Sequence, residues 1–279
     1  MLRLDLHTHS TASDGTFCPR DLIRLARRCH LAGLALCDHD TVDGLEEFIQ
    51  AGSEFGLPAI GGVELSLEYI RITHLLGLGV KAVGESAPAL KEIQKFRSER
   101  NNRLFEKLAG LGIRLDWERL LEFSHGGQLG RPHFARAMME AGFVSNIQQA
   151  FDRYLGKGRP AYVDKVRLRP QQALEFLRKN GFAPVLAHPI SLRLDKAQWL
   201  DVIPQWKEWG LIGLEAFHPD QEEDFRDFII KMAKRFKLVV TAGSDYHGAN
   251  KKTPLTWVRD NSPLGLEVIT FLREALDRS

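Results

Sequence analysis

Short apolar runs that stop at a histidine or a carboxylate recur from one end of this chain to the other. The first is Leu4-Asp5-Leu6-His7-Thr8-His9-Ser10. Read as a strand, it puts alternate side chains on one face, so Asp5, His7 and His9 project together while Leu4 and Leu6 turn away. The pattern repeats. Leu34 to Cys37 runs into Asp38-His39-Asp40, Leu57 to Glu64 reads as a third strand, and Ile70 to Leu78 as a fourth carrying His74. Later, Ala183 to Ala187 precedes His188-Pro189, Ile212 to Ala216 contains Glu215 and leads to His218, and Leu238 to Ala242 leads to Asp245-Tyr246-His247. Between these runs, Pro19 to Cys29, Val42 to Phe55, Pro170 to Asn180, Lys196 to Trp209, Asp220 to Phe236 and Leu264 to Leu276 show apolar residues at helical spacing. Strands nearly continuous in apolar residues, alternating with helices, predict an α/β fold: a parallel sheet covered by helices and closed as a TIM-like barrel. Chemistry in such barrels collects at the C-terminal strand ends, which is where the histidines and carboxylates fall.

The alternation breaks once. Leu90 to Leu111, Trp117 to Phe123, Pro132 to Ala141 and Asn146 to Tyr154 all read as helices with no strand between them. The expected organisation is therefore a first barrel part over 1–89, a helical insertion over 90–160, and a second barrel part over 161–279. Arg97, Arg100, Arg103, Arg131 and His133 would form one basic face on that insertion. Arg131 has the strongest reason to do so, because Gly130-Arg131-Pro132-His133 precedes a helix start, where free backbone N–H groups and the helix dipole favour an anion.

Composition excludes several classes. With 44% hydrophobic residues in 279, the chain can bury a sizeable core. No run reaches the roughly 18 apolar residues that span a bilayer, and Met-Leu-Arg-Leu-Asp does not begin like a leader peptide. The expectation is a soluble, cytoplasmic protein without membrane association, its oligomeric state open. Cys18, Cys29 and Cys37 lack a CxxC spacing, so they are read as buried thiols rather than disulfide or zinc-knuckle partners. A net charge of +2, from 38 basic and 36 acidic residues, is too balanced for a protein that coats nucleic acid.

Neutral imidazole and carboxylate are the ligands that divalent first-row metals take from proteins. Taken together, Asp5-x-His7-x-His9, Ser13-Asp14-Gly15, Asp38-His39-Asp40-Thr41, Gly62-x-Glu64, His74, Ala187-His188-Pro189 and Gly243-Ser244-Asp245-x-His247 resemble the PHP (polymerase and histidinol phosphatase) family. The resemblance implies a distorted seven-stranded β/α barrel holding three divalent ions, manganese foremost, with zinc or iron as alternatives. It assigns His7, His9, Glu64 and Asp245 to one ion. Glu64, as a bridge, joins His74 and His188 at a second, and Asp14, His39 and His247 hold a third.

Within that family the chain is similar to the phosphoesterases of the RNase AM type, which act on 3′,5′-nucleotide bisphosphates and trim RNA from the 5′ end. That similarity rests on Gly130-Arg131-Pro132-His133, on Pro160-Ala161-Tyr162-Val163 with Lys165, and on the order of the intervening helices. One departure is Ile190-Ser191-Leu192-Arg193, where a glycine-arginine pair is expected. The implied chemistry is attack on phosphorus by a hydroxide bridging two ions. His218, a strand-end histidine assigned to no ion, is the expected acid for the leaving oxygen, with Asp245 the other expected catalytic residue. Arg131, His133, Lys165 and Arg193 are the expected substrate contacts. A nucleotide, or an RNA 5′ end, is the expected substrate. Histidinol phosphate or another small phosphomonoester is the alternative, and a metal-binding module without turnover a further one.

Overall fold

The computed structural model describes residues 3–71, 73–79, 87–123, 129–164 and 167–278. Seven strands lie side by side in one sheet in chain order: β1 (Arg3–Thr8), β2 (Leu31–Leu36), β3 (Ala59–Leu67), β4 (Thr73–Gly79), β5 (Ala183–Leu186), β6 (Gly213–Phe217) and β7 (Val239–Ala242). Helices α1 (Pro19–Arg28) and α2 (Leu45–Phe55) link the first three strands. After β4 come α3 (Ala87–Gly110), α4 (Trp117–Phe123), α5 (Arg131–Glu140) and α6 (Ile147–Ala150). Helix α7 (Pro170–Lys179) leads into β5, α8 (Lys196–Glu208) into β6 and α9 (Glu223–Phe236) into β7, and α10 (Trp257–Asn261) and α11 (Glu267–Arg278) close the chain.

The expected all-parallel order is corrected at one strand. β1 to β3 run parallel to one another, as do β5 to β7, but β4 is antiparallel to both β3 and β5. The chain between Leu67 and Thr73 is too short for a crossover, which needs about a dozen residues or more, so β4 must turn back beside β3. Reversal has a functional effect. His74 lies at the start of β4, and because β4 is reversed that start sits at the same rim as the C-terminal ends of its neighbours, with Ser66 opposite His74 and the Ala187 amide donating to the His74 carbonyl at 3.2 Å.

The sheet curls until its first and last strands approach at this rim. There Thr8 pairs with Tyr246, and the His9 amide donates to the Tyr246 carbonyl at 2.9 Å. On one face the sheet packs against α1, α2, α7, α8 and α9 through a continuous cluster that includes Leu34, Leu36, Val63, Leu65, Trp199, Trp206, Leu214 and Ile229. A second cluster joins Leu4, Leu6, Ala35, Leu76, Leu78 and Val185 to Val268 and Leu272 of α11. Each fully buried side chain of this size contributes about 1.5–3 kcal/mol relative to exposure. A third cluster is separate from both. Leu104, Leu108, Leu120, Phe134, Met138, Leu155 and Ala161 form it, so the helices that follow β4 carry a core of their own.

Boundaries shift by a few residues, with one change of type: the segment expected as a helix over Asn146 to Tyr154 becomes α6, capped by the Asn146 side chain on the Gln149 amide at 2.8 Å, followed by a π-helical turn over Phe151–Leu155. Cys37 is buried as expected, but Cys18 and Cys29 are partly exposed.

Candidate metal centre

Alternation along the strands separates core from rim. Glu64 lies between Val63 and Leu65, and Glu215 between Leu214 and Ala216, so the apolar neighbours go to the helix layer and the carboxylates turn to the opposite face. His9, Asp38 and His39, His188, His218, and Asp245 with His247 follow the C-terminal ends of β1, β2, β5, β6 and β7. His74 reaches the same place from the start of β4.

Glu64 is the centre of the arrangement. Its Oε1 lies 2.9 Å from His74 Nδ1, 3.2 Å from His188 Nε2 and 3.4 Å from His7 Nε2. Its Oε2 lies 2.9 Å from His39 Nδ1 and 3.3 Å from His9 Nε2. Five imidazoles thus surround one buried carboxylate. The backbone fixes this register, because the Glu64 amide donates to the Asp38 carbonyl at 3.1 Å and the Asp40 amide to the Glu64 carbonyl at 3.0 Å, which brackets His39 against Glu64.

Asp245 closes the opposite side. Its Oδ1 faces His7 Nε2 at 3.5 Å, His9 Nε2 at 3.3 Å and His247 Nδ1 at 3.3 Å, while its Oδ2 faces His218 Nε2 at 3.6 Å and Lys251 Nζ. Asp14 lies 3.3 Å from His247 Nε2, 3.8 Å from His39 Nε2 and 3.9 Å from His9 Nδ1. Among the described residues, the sets whose ligand atoms converge closely enough for one ion are His7, His9 and Asp245; His39, Glu64 and His74; and His9, Asp14, His39 and His247. They overlap the expected allotment without repeating it. His9 and His39 each fall in two sets, and His188 meets the centre through Glu64 and through His74 Nδ1 at 3.2 Å.

The donor set fits divalent cations. His7 Nδ1 lies 3.1 Å from Glu215 Oε1, and a carboxylate accepts, so the Nδ1 proton points outward and the Nε2 lone pair faces Glu64 and Asp245. His247 is oriented the same way: its Nδ1 donates to the Asp245 carbonyl at 2.8 Å, turning Nε2 to Asp14. Lone pairs set against carboxylates at such distances call for a proton or a metal ion between them. His7 Nε2, both ring nitrogens of His9 and Glu64 Oε2 are buried without a hydrogen bond, which costs about 1–3 kcal/mol for each such group left unsatisfied.

Electrostatics repeat the same point. Burial works against charge on Glu64, yet His74, His39 and His7 outweigh it and hold its carboxyl well below the usual range. Burial likewise opposes charge on Asp14 and Asp245, and the imidazoles around them depress both. His7 is driven the other way: against burial, Glu215, Glu64 and Asp245 keep its pKa well above the ordinary value. His9 rises to about 9 against burial through Asp245 and Glu64, whereas burial lowers His74 to about 4. Binding metal here must therefore displace protons.

A second layer holds these groups in place. Glu215 accepts the His188 amide at 2.7 Å as well as meeting His7, and Asp5 Oδ1 accepts the His7 and Ser244 amides at 3.1 and 3.0 Å. Asp38 accepts the Ser10 amide and hydroxyl at 2.8 and 2.6 Å and the Ser13 hydroxyl, which anchors the loop that carries Asp14. His188 and Asp245 both have positive φ, 28° and 52°, a strained backbone that this shell maintains. Gly243 is required by space, since a Cβ there would lie 2.3 Å from both Glu215 Oε1 and His7 Cβ.

His218 differs from the other rim histidines. Its Nδ1 accepts the Asp220 amide at 3.1 Å, so the neutral ring carries its proton on Nε2, which is buried and directed toward Asp245 Oδ2. The ring presents an N–H to the site rather than a lone pair.

The expected substrate contacts are placed less uniformly. His133 is buried, and its Nδ1 accepts the Gly130 amide at 2.9 Å, so it serves the start of α5 rather than an exposed basic face. Arg131 is half-buried; it donates to the Leu155 carbonyl at 3.3 Å and lies 5.9 and 5.6 Å from the Phe151 and Tyr162 rings. Arg100 is buried while Arg103 is exposed, which breaks up the predicted basic stripe. Arg193 is exposed at the end of the short turn that begins after His188. Lys165 and the Arg97 side chain lie outside the described residues. Lys251 was missed altogether: it sits in a loop, and no periodicity links it to the motif around Asp245.

Comparison with known proteins adds the following. Residues 5–182 match the PHP domain family. The chain is 34% identical over 266 residues to a 5′-3′ exoribonuclease of Haemophilus influenzae, covering 95% of each chain. It is 31% identical over 250 residues to a 3′,5′-nucleoside bisphosphate phosphatase of Chromobacterium violaceum, covering 88% of each. Among solved structures, one from Bifidobacterium adolescentis described as a metal-dependent phosphoesterase superposes with a TM-score of 0.84 at 28% identity, over 100% of this chain and 96% of that one.

Proposed function

Since the chain belongs to the PHP domain family and is a hydrolase of phosphoester bonds, we propose that it removes a phosphate from 3′,5′-nucleotide bisphosphates and trims RNA from the 5′ end with the same centre. The observation that carries this reading is Glu64 with five imidazoles around its two oxygens. His7, His9, Glu64 and Asp245 would hold one ion, Glu64, His74 and His188 a second, and Asp14, His39 and His247 a third. Divalent ions there, manganese foremost and zinc or iron as alternatives, supply a water acidic enough to lose its proton near neutral pH and positive charge for the phosphoryl oxygens.

The chain's own side chains do the rest. Glu215 and the Asp245 carbonyl fix the tautomers of His7 and His247, so both present lone pairs without reorganisation. His218, held by the Asp220 amide on its Nδ1, directs its Nε2–H beside Asp245 Oδ2 and donates a hydrogen bond to the oxygen that leaves phosphorus as charge builds there. Arg193, exposed one turn after His188, and Arg131, on the helical segment, are the proposed contacts to the substrate beyond the reacting phosphate. Residues 90–160 are read as a cap over the rim. No helix among the described residues is long and apolar enough to cross a membrane.

Phosphate release from adenosine 3′,5′-bisphosphate and from histidinol phosphate, assayed side by side under manganese, tests the proposal. A higher kcat/KM on the bisphosphate is expected, and preference for histidinol phosphate would overturn the substrate assignment.

A further inference from the structure

Charge is unevenly spread along the chain. Residues 151–169 hold six basic and two acidic side chains, and since the whole chain has 38 basic and 36 acidic residues, everything outside this segment sums to net −2. Both acids of the segment are engaged. Asp152 accepts from the Gln148 amide group at 2.9 Å, and Asp164 accepts from the Tyr162 hydroxyl at 2.9 Å and meets Arg167 at 3.2 Å. Arg153, Lys157 and Arg159 are exposed, and among the described residues none of the three forms an ion pair. Aromatic rings share the segment: Phe151 and Tyr154 pack against the helical core while staying partly exposed, and Arg131 lies over Phe151 and Tyr162. Backbone hydrogen bonds fold the stretch onto itself, from the Gly156 amide to the Phe151 carbonyl at 2.8 Å, from Ala161 to Tyr154 at 3.0 Å and from Tyr162 to Arg159 at 2.9 Å. Cations and rings are thus held close together.

The far end of the segment reaches the strand rim. Leu168 pairs with Leu67 at the end of β3, and the Glu68 amide donates to the Leu168 carbonyl at 2.9 Å. Arg167 and Arg169 therefore flank a point three residues beyond Glu64, about 10 Å along the strand. A basic, aromatic ridge leads from the metal centre out over the helical segment. We infer that this ridge is the track for single-stranded RNA whose 5′ end occupies the centre, with phosphates on Arg153, Lys157 and Arg159 and bases on the rings of Tyr154 and Tyr162. The inference rests on the phosphoesterase reading and deepens it, because a net charge of +2 gives a long anion no reason to bind until its distribution is taken into account. A single strand offers phosphates and unstacked bases together, and cations interleaved with rings receive both. An acidic peptide or a lipid surface would use the cations alone. Every base has a π-face, so such a track holds RNA without reading its sequence.

The test uses the full chain with Arg153→Ala, Lys157→Ala and Arg159→Ala combined, beside the charge-preserving pair Arg153→Lys and Arg159→Lys. The first readout is the ratio of kcat/KM for a 5′-phosphorylated RNA of about ten nucleotides to that for adenosine 3′,5′-bisphosphate, which is too short to reach the ridge. Losing three phosphate contacts should lower that ratio by about tenfold or more through KM for the RNA, with the bisphosphate unchanged and the lysine pair close to wild type. The second readout is fluorescence anisotropy of the same RNA on metal-free protein across a salt series. The slope of log affinity against log salt should become shallower by about 2 in the alanine variant. Tyr154→Leu, which keeps an apolar side chain against the helical core, should weaken the RNA by about fivefold or more at an unchanged slope. An unchanged ratio or slope in the alanine variant overturns the track, while wild-type hydrolysis of the bisphosphate keeps the phosphoesterase reading. Full RNA affinity in Tyr154→Leu overturns it as well, leaving the cations to an acidic peptide or a lipid surface. If wild type hydrolyses neither substrate, the phosphoesterase reading fails, and the anisotropy measurements alone decide whether the ridge holds RNA.

Discussion

His74 and His133 stand near the start of regular elements, one in β4 and one in α5, yet the two regions use the same side chain differently. On the strand rim His74 meets Glu64 at 2.9 Å within a cluster of imidazoles and carboxylates. In the helical segment His133 closes the first turn of its own helix by accepting the Gly130 amide. Among the described residues, the sets able to hold a metal all lie on the rim, while the helical segment has its own apolar core. Spacing around a residue therefore says less about its chemistry than the element that carries it. Strand ends of a curled sheet converge on one point, and a helix start satisfies its own amides first.

The sharpest way to break this contrast is at Glu64. Glu64→Gln keeps the shape but removes the charge that all five imidazoles face, so hydrolysis should fall to background in a steady-state phosphate-release assay while the helical segment keeps its far-ultraviolet circular dichroism. His218→Gln should lower kcat by about 10²–10⁴-fold for alkyl phosphates and much less for p-nitrophenyl phosphate, whose leaving oxygen needs no proton. An equal loss on both esters would remove His218 from the leaving oxygen. Glu215→Gln should weaken metal affinity by about 10–100-fold, read by competition with a chelating dye, since the His7 tautomer is no longer held by a charge.

Smaller effects sharpen the other side of the comparison. Arg131→Ala should raise KM for the bisphosphate severalfold more than for a monophosphate if Arg131 contacts substrate, and should lower stability alone if its contacts with Leu155, Phe151 and Tyr162 are its whole role. The smallest effect on turnover is expected at Asp5, where burial pushes the carboxyl up to about 7 despite the amides it accepts. With the folded pKa above the unfolded one, the folded chain binds the extra proton between about pH 4 and 7, so stability present in acid is lost as pH rises through about 7. Asp5→Asn should therefore gain stability relative to wild type, by as much as a few kcal/mol, between pH 5 and 8 in urea titrations of metal-free protein.

Much of the rim was legible in the sequence because each ligand-type residue sits at or next to an apolar strand, a local pattern that needs no knowledge of the partner strands. The seven strands and the helices between them followed from the same periodicities. The direction of β4 did not, since an apolar run has no polarity; only the short link from Leu67 to Thr73 carried that information. Arg100 read as a surface residue because charge predicts exposure, yet it is buried in the helical segment. Lys251 was invisible because it comes from an irregular loop and meets Asp245 only through the fold.

Metal content tests the central claim most directly. Chain stripped with chelator, reconstituted with manganese, passed through a desalting column and measured by plasma emission should retain about three ions per chain, the number proposed above. Retention of none, or of a single ion that Glu64→Gln leaves in place, would contradict a multinuclear centre built around Glu64.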